Sequence, residues 1–422
     1  MFKGVPQQEG LVRLNPPDSS SALSMLTPVI ATSLIDPRIF GLAWYLLILI
    51  ALVTLSMNGV RRRTLRVAPK NSPDGALLRL WLIALGPLLV ISAISALQHQ
   101  LAIGRIEILE MVLGGAVLLL AGSALQFNRE QLLHGTALAA FGGLALSLYE
   151  LVVLEQYRAG IIFQPINFGI ACGVITVILL STLLNGLHKT KIEPQNKSQS
   201  SVLRWLLSDR IQWGACVASG ISLLASGSRG PIVGTLIAGL FVLGLSLKKR
   251  TSLKVLFGIC VSITLAGAAV AWRTASDLPH GELSSLGIRW ELLRISLKQI
   301  AINPWGGLGA DQAGAFFAQY PDPIKTLNHA HSVPVNLALE LGIPGLLGWI
   351  WSFVILGKFA YRSHQHQPSD PVAIALVGVL TLFFICALFQ DTLSHSYTRK
   401  LFAIMIPSLL ILSLSPAKPK HP

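Results

Sequence analysis

Apolar stretches of roughly 17–25 residues, the length that crosses a bilayer core, alternate along this chain with short polar breaks. The pattern predicts helical spans near residues 39–57, 77–97, 108–127, 132–154, 166–187, 211–226, 231–247, 253–272, 334–357, 371–390 and 399–415. The run Ser21–Ile35 is shorter and holds Pro28, so a twelfth span is left open. It does not read as a cleavable signal peptide, because the stretch before it is long and contains Pro16, Pro17 and Asp18. The expected fold class is therefore an all-α polytopic membrane protein. It forms one domain over residues 1–422, with about 11–12 transmembrane helices.

Most breaks are short and suit antiparallel helices packed side by side. Residues 188–210, which include KTKIEPQNKSQSS, read as a polar, flexible linker on the cytoplasmic side between two halves of the bundle. The stretch 273–333 is the longest break and is not low in complexity. A long outer loop of this kind is a candidate site element. Within it, residues near 285–303 predict an amphipathic helix ended by Asn303 and Pro304. Glu291, Arg294 and Lys298 share one solvated stripe, and Arg289 falls nearly opposite, beside Leu293, Ser296 and Ile300. An arginine on a buried face needs a counter-charge or carbonyl partners. Either it pairs with a carboxylate such as Glu340 or Asp311, or it lines a pocket for an anionic ligand; the second reading is favoured. No internal repeat stands out, which disfavours transporters built from duplicated halves.

The chain is 52% hydrophobic and 12% charged, with a net charge of +14. In a soluble protein that excess would suggest nucleic acid; here no nucleic-acid partner is read, because the charges report topology. Arg61, Arg62, Arg63, Arg66, Lys189, Lys191, Lys248, Lys249 and Arg250 lie in one set of alternate loops, which is expected to be cytoplasmic. The opposite loops hold fewer basic residues, among them Arg105, Arg158, Arg229 and Arg289. Cys172, Cys216, Cys260 and Cys386 all fall inside spans without CxxC spacing and read as small apolar fillers.

The chemistry-bearing residues gather at the outer edge. SGSRGP, from Ser226 to Pro231, is a very short outer connection, and Pro231 suits the first turn of an inward-running helix. Ser228, Arg229 and Gly230 thus sit at a positive helix end, where backbone N–H groups and a guanidinium can bind an anion such as a phosphate. NHAHSVPVNLALELGIPG, from Asn328, repeats the layout. Pro334 opens another inward-running helix, with His329 and His331 just before it. That helix end lowers histidine pKa and favours the neutral imidazole a general base needs. Glu340 lies about 13 Å further along the helix, out of reach of His331, and needs a partner on another element, for example an arginine. His329 and His331 with Asp311 or Asp322 make a weak zinc pattern without a clear third ligand, and Ser226 or Ser228 matches a membrane serine protease only loosely. Asp391 and His395, in DTLSHSYTRK, could contribute to the site but read better as helix caps at the interface.

SGSRGP, then IRWELL with NPWGGLGADQ, then HSVPVNLALELGIPG, resembles the O-antigen ligase and polymerase superfamily of bacterial envelope glycosyltransferases. His331, Glu340, Gly342, Pro344 and Gly345 keep that family's spacing, while Ser332 stands where the family has asparagine. The resemblance covers about Ser226–Trp349. It implies a fold of the lipid-linked-sugar transferase type with a large periplasmic loop in the bacterial cytoplasmic membrane. It also implies an undecaprenyl-diphosphate-linked glycan donor, a lipid A–core or other hydroxyl acceptor, and neither metal nor cofactor. It assigns Arg229 and Arg289 to the diphosphate and His331 to catalysis. A polymerase of the same superfamily and a bicarbonate-type transporter are the alternatives.

Overall fold

The computed structural model describes residues 26–34, 37–65, 73–99, 107–121, 127–160, 164–185, 208–246 and 285–414. The predicted span 253–272, most of the linker 188–210 and the start of the long loop, residues 273–284, lie outside these residues. The described chain is helical throughout, with no strand. Its helices are α1 (Leu26–Thr32), α2 (Pro37–Leu65), α3 (Pro73–Gln98), α4 (Glu107–Ala121), α5 (Arg129–Leu148), α6 (Pro165–Asn185), α7 (Asp209–Ala225), α8 (Arg229–Ser246), α9 (Ser285–Ile302), α10 (Ala313–Phe317), α11 (Val333–His366), α12 (Pro371–Phe389) and α13 (Ser396–Leu414).

Among the described residues eight helices are long and apolar enough to cross a membrane. Every expected span inside the described residues coincides with a helix, although α4, with 15 residues, and α7, with 17, are shorter. The doubtful run Ser21–Ile35 yields α1, whose 7 residues are too few to span; α1 packs against α5. At the centre stand α13, with 89% of its apolar window buried, and α6, with 78%. Both are apolar on all sides, as helices surrounded by other helices must be. Packing of α12 against α6 and α8 is close because small residues meet there. A Cβ on Gly234 would come within 2.9 Å of the Cys386 sulfur, and one on Gly378 within 2.6 Å of Val177 and Val242.

The feature that positions the site is a break in α11. Gly342 has φ 71° and ψ −173°, far outside helical values. Two residues later Pro344 has no N–H, so the carbonyl of Glu340 has no partner four residues on. The segment Pro304–Gly309 fills the gap. Leu308 N–H donates to Leu339 O and Gly309 N–H to Glu340 O, each at 2.9 Å, and Ile343 N–H donates to Pro304 O at 2.7 Å. Close approach demands glycine: a Cβ on Gly307, itself at φ 64°, would sit 2.3 Å from Glu340 O. The Glu340 carboxylate then accepts from Ala313 N–H at the start of α10, at 3.1 Å. One partner of this carboxylate is thus a backbone amide of another element.

The segment from α9 to the start of α11 folds over this break with an apolar core of its own. Leu292 and Ile295 of α9 pack with Ala313, Phe317, Ile324, Ala330 and Leu339. The predicted amphipathic helix near 285–303 is α9. Arg294 and Lys298 are exposed, Arg294 bonds Glu291, and Ser296 is fully buried.

Gly342→Ala should destabilise the folded protein by at least about 2 kcal/mol, because the backbone conformation and the 2.7 Å approach to Pro304 O both exclude a side chain. Thermal unfolding in detergent checks this. Gly244→Ala, which meets nothing within 4 Å, should leave the midpoint unchanged.

Candidate active site

The N-termini of α8, α11 and α13 and the C-terminus of α12 meet at one end of the bundle, beneath α9. Arg229 opens α8 and is exposed. Its N-cap is Ser228, whose carbonyl accepts from Ile232 N–H at 3.2 Å. The Ser228 side chain is buried and its hydroxyl donates to Ser226 O at 3.4 Å. Gly230 is also buried, and a Cβ there would meet the Gln390 side chain at 3.2 Å. These two residues therefore set the helix end in place against α12, and Arg229 projects from it.

Arg289 reaches from α9 to the frayed end of α12, where its Nη1 donates to Phe389 O at 2.7 Å. Among the described residues no carboxylate forms an ion pair with it, so of the two readings the ion pair with Glu340 or Asp311 is not what the fold builds. Burial, and then repulsion from Arg229, pull the Arg289 pKa below its ordinary value. Two guanidiniums from distant parts of the chain thus act on one another, and that of Arg289 is held by a carbonyl.

His331 completes the group. It sits just before α11 with φ 54°, a left-handed conformation that costs a non-glycine residue on the order of 1–3 kcal/mol and is retained where surroundings enforce it. Asn336 enforces it by accepting from Ala330 N–H at 3.2 Å. Ser332, the departure from the family spacing, is the N-cap and makes no side-chain capping bond, while its carbonyl accepts from Asn336 N–H at 2.8 Å. His329 lies edge-on to His331, with ring centroids 4.6 Å apart. Burial lowers the His331 pKa to about 4, helped by the positive neighbours His329, Arg289 and His395 in that order. The ring is neutral near pH 7, as a proton acceptor must be.

Residues 214–350 match the family model described as O-antigen ligase. This segment, about a third of the chain, is similar to that family. It holds Arg229, Arg289, His329, His331 and Glu340, and the break at Gly342 as well. No curated protein is significantly similar to the chain.

Outside the matched O-antigen ligase segment, two further elements reach the site. His395, read from sequence as an interface residue, has its ring 5.7 Å from that of His329. Arg158, counted there only as an outer-loop cation, lies beside Gly227 of the SGSRGP turn, next to Ala159, whose N–H donates to Ala225 O at 2.9 Å. Neither follows a spacing rule, because each is brought in by helix packing.

Arg289→Gln should raise the His331 pKa, since it removes a cation that opposes the imidazolium. Histidine NMR of the labelled protein in micelles reads this directly; an unchanged titration would separate the two residues.

Proposed function

We propose that this protein is a glycosyltransferase acting at the periplasmic face of the bacterial cytoplasmic membrane. It transfers a glycan from an undecaprenyl-diphosphate donor to a hydroxyl acceptor, as an O-antigen ligase does with lipid A–core. The observation that carries the reading is the convergence of Arg229 and Arg289 with a neutral His331 at one end of the bundle. Phosphate is the anion that two guanidiniums and a helix N-terminus bind well. A diphosphate leaving group needs its developing charge stabilised, which these groups can do. The acceptor hydroxyl is a weak nucleophile near neutral pH, and His331 takes its proton as the new glycosidic bond forms. In-line attack then inverts the anomeric carbon. The lipid tail of the donor enters between helices from the bilayer.

A transporter would carry its polar residues near mid-bilayer on facing helices; this site lies at helix ends. The matched family is compatible with a ligase and with a polymerase. A deletion strain separates them: loss of a ligase leaves core without O-chain, whereas loss of a polymerase leaves core with a single repeat.

Purified protein given an undecaprenyl-diphosphate oligosaccharide and lipid A–core should release undecaprenyl diphosphate. His331→Ala should lower turnover by about 10²–10⁴-fold and spare donor binding. Arg229→Ala should weaken donor binding roughly ten- to a hundred-fold. Wild-type behaviour in both variants would refute the assignment.

A further inference from the structure

The imidazoles do not stop at His331. His329 touches it edge-on, and His395 lies edge-on to His329, at 84° between ring planes. Asp391, four residues before His395 and acting on its charge, is 2% exposed. One Asp391 oxygen accepts from Ser394 N–H at 3.3 Å, and the other, Oδ2, is buried with no protein hydrogen-bond partner among the described residues. Nδ1 of His331 is in the same condition. A buried, half-satisfied carboxylate is costly unless a cation comes to it. The row therefore has an acceptor-hungry ring at one end and a cation-hungry carboxylate at the other. Among the described residues no group of three or more His, Cys, Asp or Glu is placed to hold a metal ion.

We propose that His395, backed by Asp391, is a positioning residue that builds the proton outlet of the site. It holds His329 against His331, and the proton taken from the acceptor passes from His331 through His329 toward the Asp391 carboxylate. The proposal rests on His331 being the base. In the step itself the acceptor O–H bond breaks and its proton goes to His331. The oxygen's electron pair forms the bond to the anomeric carbon, and the anomeric C–O bond leaves with its electrons on the diphosphate. His331 then carries a proton beside Arg289 and is poorly placed to keep it. The groups facing the row decide the direction. His329, Arg289 and His395 act on His331, whereas His329, Asp391 and Arg399 act on His395. Asp391 is the negative group among them, so the proton moves away from Arg289 and toward that carboxylate, with Arg399 at the same end. Burial lowers the His395 pKa and Asp391 opposes that shift.

Two measurements test this on the full-length protein in detergent. In histidine NMR, Asp391→Asn should move the His395 titration to lower pH and perturb that of His329, with His366 unmoved; an unmoved His395 overturns the proposal. In turnover of the undecaprenyl-diphosphate oligosaccharide with lipid A–core, His395→Gln should lower kcat about ten-fold with both KM values unchanged. His395→Ala should regain rate with imidazole in the buffer, which a folding defect would not. If His395→Gln keeps wild-type kcat while His331→Ala is inactive, the outlet is wrong and the base assignment stands. If His331→Ala is also fully active, both fall.

Discussion

One broken helix organises this molecule. Pro344 denies α11 a hydrogen bond at the turn where Gly342 leaves helical geometry, and the exposed carbonyls of Leu339 and Glu340 are taken up by the N–H groups of Leu308 and Gly309. Buried backbone polar groups must be paired, so the break and the inserted loop specify each other. The loop follows α9, and α10 is tied to the same turn through Glu340. Arg289 and His331, more than forty positions apart in the chain, are thereby fixed to one scaffold. The small core of Leu292, Ile295, Phe317 and Leu339 seals that scaffold from the other side.

On this frame the site concentrates positive potential. Arg229 and Arg289 repel each other, Arg289 depresses His331, and the helix N-termini add to the field. Such an arrangement favours an anion, the property on which the proposed diphosphate reading rests. Burial first, and then the same field, keeps His331 neutral near pH 7.

Much of this was legible in the sequence. Spans announce themselves because a bilayer demands long apolar runs, and Arg229, Arg289 and His331 stood out because polar groups at helix starts in a membrane protein are few. The ELGIPG stretch marked a special turn. What could not be read was one contact of that turn: Glu340 accepts from a backbone amide of α10, and an amide leaves no trace in residue identity. His395 and Asp391 looked like ordinary capping residues, since only the packing of α12 and α13 against α6, α8 and α11 turns them toward His329. The arginine of α9 was rightly placed on a buried face by helical periodicity, yet its carbonyl partner at Phe389 lies a hundred residues away, beyond any local pattern.

The central claim is spatial: α8, α9 and the turn before α11 present residues 229, 289 and 329 to one cleft open on the periplasmic side. Single cysteines placed pairwise at these positions, with the native cysteines replaced, can be treated in intact inner-membrane preparations with a short membrane-impermeant bismaleimide added from the periplasmic side. All three pairs should cross-link within the chain. Labelling of each cysteine without any cross-link between them would place the residues in separate regions and contradict the account.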